Sequence, residues 1–415
     1  MNGRRGSVVV RVGILHAGDP LGFVPSGIDT FVRGLLHWAP AELEYVWFGA
    51  SSDPSARPLG HEVRFPGLHR DAAFVPLVSV DPSGRRTRIP LTLRYMLALG
   101  RHRSERSLRA CAMLDFHRPE PMLLFARDPR PKNLVLHQDM TVIRQEHSDI
   151  LWRHAPAVYE MLEKRSIREA ERVYCVRETA VARYKAEWPA QASKFAYIPT
   201  WVDTEVFRPT STEAERAAVR SQMRDQLGFP LDALLLIFVG RLDRQKNPLL
   251  LLEAFGVVRS RLPGARLALV GDGALRPSVE QWVKERGLAA EIRLVGALPR
   301  ERIADMHRAA DLFVLSSAYE GLPIALLEAL ACGLPAACTD VGEIRRVLRE
   351  GENGALCTTH SASAMAESVI KAASRLETMR GGPCLRAVRD YGPEPVLGII
   401  YENHSRQAHA RSLAR

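Results

Sequence analysis

The sequence predicts an α/β protein built from two doubly wound, Rossmann-like domains facing a cleft. Its 415 residues suffice for two or three domains, each burying its own core. A composition of 46% hydrophobic and 25% charged residues is that of a folded globular chain, which excludes disorder, collagen and coiled coil. Short apolar runs alternate with helical segments, the punctuation of parallel sheets, whose strands need crossover connections.

The elements follow in order. Apolar residues 8–15 read as a first strand, 16–27 as a turn-rich loop, 28–38 as a helix and 45–48 as a strand. Further strands are expected at 122–125, 134–136 and 173–176, with a long charged helix over about 150–171. A clearer series begins after Pro209, with strands at 234–239, 266–270, 292–295, 312–315 and 336–337. Helices at 248–260, 278–286, 300–308 and 323–331 separate them. The predicted division is 1–205, 206–388 and a C-terminal helix with its tail, 389–415, and ligands of such sheets collect at the carboxyl ends of the strands.

Charge is unevenly spread. Residues 1–200 hold 29 Lys+Arg and 21 Asp+Glu, whereas 201–415 hold 28 and 26, so the basicity belongs to the front half. Its densest stretch, 85–109, carries Arg85, Arg86, Arg88, Arg94, Arg101, Arg103, Arg106 and Arg109 against Glu105 alone, around apolar residues 91–99. This reads as a basic amphipathic helix that can lie on an anionic membrane surface at ~1 kcal/mol per nearby cation, or as a solvated helix face. No nucleic-acid module accompanies the charge, and no nucleic-acid partner is expected. No apolar run reaches the ~18 residues of a spanning helix. The start reads as a strand rather than a secretory signal, because Arg11 interrupts it. Six cysteines without a C-x-x-C pair or zinc spacing support neither a disulfide framework nor a metal site, and the expected compartment is the cytosol.

The stretch 316–338, SSAYEGLPIALLEALACGLPAAC, is the most informative. Pro323 suits a first helical position and Gly333 the position past the end, which sets a helix at roughly 323–332. Glu320 and Gly321 then lie in the loop before it, where the backbone N–H groups of Gly321 and Leu322 can bind an anion. Glu328 follows within the helix, ~12 Å further on, so the two acids bracket an elongated ligand. The helix is otherwise apolar, and the lone Glu328 carboxylate needs partners: ribose hydroxyls, or an arginine elsewhere. After the strand 234–239, Gly240, Arg241 and Lys246 put two cations where they could grip a diphosphate, although loop cations are often merely solvated. Residues 271–276, GDGALR, lack the final glycine of a dinucleotide fingerprint, and neither a Walker A pattern nor an Asp-x-Asp clamp occurs.

Together these motifs resemble the group 1 glycosyltransferases, retaining enzymes of the GT-B fold that use sugar nucleotides. Residues 320–328 are similar to the family's paired-glutamate motif, 238–248 (FVGRLDRQKNP) to its diphosphate loop, and 267–273 (LALVGDG) to its nucleotide-domain strand and turn. The resemblance implies that Arg241 and Lys246, with Gly240 and Gly271, hold the donor diphosphate and that Glu328 holds its ribose. It implies further that Glu320 with the Gly321 and Leu322 backbone holds the donor sugar, and that Ala297 and Leu298 lie against the base. In the front domain, 25–31 (PSGIDTF) places Ser26 and Gly27 near the phosphates, and His137 resembles the family's active-site histidine, the alternative being a structural imidazole. The implied activity is hexosyl or related transfer to a sugar or lipid-linked acceptor hydroxyl, in polysaccharide, lipopolysaccharide or glycolipid assembly. No metal and no cofactor beyond the donor is expected. An epimerase and a noncatalytic nucleotide-sugar-binding subunit remain as alternatives. The sequence departs from the family at Thr200-Trp201, where Asn-Gly is usual, and at Glu343, where glycine is common.

Overall fold

The computed structural model describes residues 9–22, 27–67, 69–81, 89–137 and 155–413. They fold as two compact units, residues 1–199 with 393–415, and residues 200–392.

The first unit is built on β1 (Val10–Leu15), β2 (Leu43–Ser51), β3 (Val63–Phe65), β4 (Ala72–Ser79), β5 (Met113–Phe116), β6 (Lys132–Leu136), β7 (Arg172–Cys175) and β8 (Phe195–Tyr197). The sheet order is β3-β4-β2-β1-β5-β6-β7-β8, parallel except for β3, which runs antiparallel to β4. β1 sits at the switch, with Ile14 opposite Trp47 of β2 and Asp115 of β5. Side chains on both faces are buried, as a parallel sheet covered by helices requires.

Besides β3, β5 and β8, which the sequence reading does not anticipate, two features differ from it. Residues 122–125 are helical, ending the turn Pro119–Met122 and continuing as the 3-10 turn Leu123–Phe125. A four-residue apolar run does not distinguish a strand from a buried helix, and Pro119 at the first helical position with Pro121 behind it decides for the helix. β4 was not anticipated because Pro76 interrupts it. The proline is tolerated because β3 pairs only with Ala72–Phe74, leaving no donor required beyond.

The second unit carries β9 (Leu234–Val239), β10 (Ala265–Val270), β11 (Ile292–Gly296), β12 (Leu312–Leu315), β13 (Ala336–Thr339) and β14 (Gly354–Cys357), in the order β11-β10-β9-β12-β13-β14 and all parallel. The helices Pro248–Arg261, Arg276–Glu285, Arg300–Ala309 and Ile324–Ala331 alternate with them. Pro323 is not the first helical residue: it stands outside the helix with extended backbone (φ −68°, ψ 126°), and the helix runs Ile324–Ala331. All six cysteines are buried, and none is in a disulfide. Among the described residues no helix is long and apolar enough to cross a membrane.

The last helix, Pro393–Leu413, belongs to the first unit. His404 is buried and donates from Nε2 to Asp115 (3.1 Å), while Tyr45 OH lies 2.7 Å from its Nδ1. Gln407 and Asn133 exchange amide hydrogen bonds (3.0 and 3.1 Å), and Asn133 also donates to Asp115 (2.9 Å). A polar seam thus docks this helix on β2, β5 and β6.

Candidate functional site

The site in the second unit is assembled from loops at the carboxyl ends of adjacent parallel strands. Gly240 N–H donates to Val270 (3.0 Å), Leu242 N–H to Asp272 (2.9 Å) and Gly271 N–H to Gly296 (2.8 Å), which sews the loops after β9, β10 and β11 side by side. Such closeness requires glycine. A Cβ on Gly271 (φ 131°) would lie 1.9 Å from the Gly240 carbonyl oxygen. On the other flank, a Cβ on Gly342 (φ 60°) would lie 2.2 Å from the Glu320 oxygen. Glu343, where the family resemblance breaks, turns out to hold the same loop, its N–H donating to Gly321 (2.9 Å).

The loop 240–247 is pinned to the end of β12. Ser316 Oγ donates to the carbonyls of Lys246 (3.0 Å) and Asn247 (2.9 Å), and Ala318 N–H donates to Gln245 (2.8 Å). Asn247 itself adopts the left-handed conformation (φ 45°), which asparagine tolerates better than most residues. In consequence Lys246 and Glu320 meet: Nζ donates to Oε1 at 2.5 Å, and Ser317 Oγ donates to the same oxygen at 2.7 Å. Gln245 Nε2 approaches the other carboxylate oxygen (3.4 Å). Arg241 stays largely exposed, with Asp243 at 2.7 Å and Gln245 at 3.0 Å. The two expected diphosphate cations are therefore each partnered by a carboxylate, and an incoming anion must compete with those carboxylates.

Glu328 is buried in the helix Ile324–Ala331, and its carboxyl is raised to about 7, first by loss of solvent and then by Asp203, against the charges of Arg300 and Lys246. Arg300 Nη2 donates to Asp203 (3.2 Å). A carboxyl poised in this way gains from hydrogen-bond donors that favour its ionised form. Ala297 is exposed and Leu298 half-buried beyond Gly296, while Leu322 is buried. Around Gly321, where a Cβ would meet nothing within 4 Å, the backbone is open to approach.

A second cluster lies in the first unit. His137 follows β6 and its Nε2 lies 2.9 Å from Nδ1 of His117, which follows β5; the rings are stacked. His16, after β1, approaches His117 (ring centroids 5.9 Å) and contacts Asp29 Oδ1 at 3.0 Å. Burial pushes His16 and His117 below the usual imidazole range and His137 down to about 3, so all three are neutral at neutral pH. Gly27 opens the helix Gly27–His37, and a Cβ there would meet nothing among the described residues within 4 Å. Ser26 lies outside the described residues.

Sequence reasoning missed Asp29, His16 and His117. A signal for the histidines existed: Leu15-His16, Phe116-His117 and Leu136-His137 each put a histidine directly after an apolar strand. It also missed Asp243, Gln245, Ser317, Asp203 and Arg300, for which no spacing in the sequence argued.

Residues 219–380 match the family described as glycosyl transferases group 1. The match lies wholly within the second unit. Among curated relatives, a D-inositol 3-phosphate glycosyltransferase of Thermobispora bispora is 31% identical over 247 residues, 56% of either chain. An alpha-D-kanosaminyltransferase of Streptomyces kanamyceticus is 27% identical over 55% of this chain and 60% of its own. The chain spans about half the length of the curated relatives it matches. Among solved structures, sucrose-phosphate synthase of Thermosynechococcus elongatus superposes with a TM-score of 0.76 over 97% of this chain and all (100%) of its own, at 21% identity. Anabaena HepE in complex with UDP-glucose gives 0.71 over 95% and 99%, at 15% identity. These likenesses show the fold, which is GT-B.

Proposed function

We propose that the protein is a retaining glycosyltransferase that moves a hexosyl or related sugar from a nucleoside diphosphate to an acceptor hydroxyl. The observation that carries this reading is the Lys246–Glu320 pair, held by Ser317 and Gln245 in glycine-stitched loops at the ends of β9 and β12. A diphosphate entering there displaces a carboxylate from Lys246 and takes up Arg241. The leaving group's developing charge then meets a fixed ammonium and guanidinium, which need no reorganisation at the moment of bond breaking. Glu320, freed from Lys246 but still bonded to Ser317, turns to the sugar hydroxyls. Glu328 exchanges its proton for two ribose hydroxyl donors. His137, kept neutral, accepts or donates one hydrogen bond to a sugar hydroxyl rather than supplying charge.

The relatives' names and the HepE complex support a sugar-nucleotide donor. Envelope polysaccharide, lipopolysaccharide or glycolipid assembly is the proposed setting, in the cytoplasm, and D-inositol 3-phosphate joins the acceptors to be tried because relatives carry that name. The test is transfer of label from UDP-, GDP- and ADP-sugars, with the product anomer read by NMR. Lys246→Ala and Glu320→Ala should each lower kcat by about 100-fold or more. Activity surviving EDTA supports transfer driven by Arg241 and Lys246 without a metal. Epimerisation without transfer, or donor binding without turnover, would replace the proposal by an epimerase or a binding subunit.

A further inference from the structure

The helix Leu91–His102 is anchored by one face, where Tyr95, Ala98 and Leu99 are buried and Tyr95 OH donates to the Phe48 carbonyl (2.7 Å). Its opposite face is apolar. Leu93 and Leu97 are 51% and 54% exposed, and Ile89, one turn ahead, is 50% exposed. Spacing by four aligns the two leucines, and then Arg101, along one stripe. Arg101, Arg103, Arg106 and Arg109 are exposed at and beyond the helix end. The helix Pro156–Glu169 repeats the arrangement, with Val158 (46%) and Met161 (62%) exposed in its first turns and Arg165 and Arg168 exposed in its last ones. Both helices touch the buried turn Pro119–Met122, so the two stripes are neighbours on one face of the sheet. Five of the ten large apolar side chains exposed among the described residues fall on this face. The acids there are already engaged: Glu105 contacts His102, and Glu160 accepts from Lys164 (2.8 Å).

We infer that this face is a docking surface for an anionic lipid bilayer. Rows of aliphatic side chains set beside guanidiniums suit an interface that offers hydrocarbon and, a few ångströms above it, phosphate. Two separated rows are a poor match for the continuous, close-packed core of a protein–protein interface. The surface takes in the basic segment read from the sequence from Ile89 onward, Arg85, Arg86 and Arg88 lying outside the described residues. It is broader in extent, because the second helix shares it. Crossover helices run antiparallel to the strands they join, so the apolar first turns of both lie toward the carboxyl end of the sheet, the end that carries His16, His117 and His137. Docking there brings that end to the lipid surface, as a lipid-linked acceptor would require. This last point rests on the transfer reading, whereas bilayer binding does not.

The test is flotation of the full chain with vesicles of phosphatidylcholine alone and of phosphatidylcholine with phosphatidylglycerol, without donor. Binding is expected only to the anionic vesicles and should weaken with salt. Leu93→Ser with Leu97→Ser should lower vesicle affinity about tenfold or more. Arg101→Glu with Arg165→Glu should remove the salt-dependent part. As a readout independent of stability, Leu97→Trp should show a blue-shifted emission on adding anionic vesicles. Equal binding to both vesicle types, flotation insensitive to the leucine pair together with an unshifted tryptophan, or a dimer in sedimentation velocity that the leucine pair disperses would each overturn the inference, the last assigning the face to a second copy. Vesicle binding in a protein that transfers no sugar would leave the surface standing and remove the proposed activity.

Discussion

His307 and Glu328 are both buried, and their effects on stability run in opposite directions with pH. Neither ring nitrogen of His307 has a partner among the described residues, and the ring packs edge-on against Phe207 and Phe313. Burial lowers it to about 3, well under the ordinary imidazole value. The unfolded chain therefore binds the proton more readily, and this stabilising contribution, complete above the ordinary value of ~6.5, is lost as pH falls toward about 3. His307→Leu should raise stability by ~1–2 kcal/mol near pH 5 and flatten the acid limb of a Tm-against-pH curve. Glu328 is the reverse case. Its carboxyl is raised to about 7, so the folded state keeps a proton that the unfolded chain releases, and stability drops as pH rises from ~4.5 to about 7. Glu328→Gln should remove that slope and stabilise the protein near pH 8 by up to ~3 kcal/mol, yet weaken nucleotide binding about tenfold in calorimetry. With Glu328 holding the ribose as proposed, nucleotide affinity of the unsubstituted protein should increase between about pH 6 and 8 in calorimetry, because only the ionised carboxylate accepts both ribose donors.

At the scale of elements, the site depends on how closely the loops approach one another. Gly342→Ala would put a methyl 2.2 Å from the Glu320 carbonyl oxygen at a positive φ, so the loop 320–322 must move. The expected result is a donor KM raised about tenfold or more with far-UV CD unchanged; an unaltered KM would mean that this loop does not contact the donor. The same scale marks where local sequence was legible. Periodicity found β9 to β13 and the helices between them, because long apolar runs alternating with amphipathic ones admit few other readings. It failed at 122–125, where four apolar residues fit a buried helix as well as a strand, and at β4, where Pro76 is acceptable only because β3 is short. The helix Glu213–Leu227 did carry a signal, since Thr212 accepts from Glu215 N–H (3.1 Å) and Glu215 reaches back to Ser211 N–H (2.7 Å), a capping box readable as Thr-x-x-Glu.

At the scale of the whole chain, the first unit is completed only by its last residues. Asp115 is 1% exposed, and its Oδ1 accepts from His404 of the helix Pro393–Leu413 and from Asn133, with His404 Nε2 also 2.9 Å from Oδ2. His404→Ala leaves Tyr45 OH without its partner and the Asp115 carboxylate with Asn133 alone, and should cost ~3 kcal/mol, read as a lower Tm. Asp115→Asn with His404→Gln should recover part of it, as pairwise coupling across the seam requires. Nothing local indicates this seam, because residues 115 and 404 are brought together by a return of the chain through another unit.

The sequence by itself determined the alternation of strands and helices, and it marked Arg241, Lys246 and Glu320 in loops and Glu328 in an apolar helix, because these follow from periodicity and from where charge interrupts it. Only the tertiary structure decided what those charges face: Lys246 against Glu320, Arg241 against Asp243, three neutral histidines in one cluster, and two half-apolar helices on one face. Pairing of this kind depends on which strands become neighbours and how closely their loops approach, and that is fixed by packing of the whole sheet rather than by any run of adjacent residues.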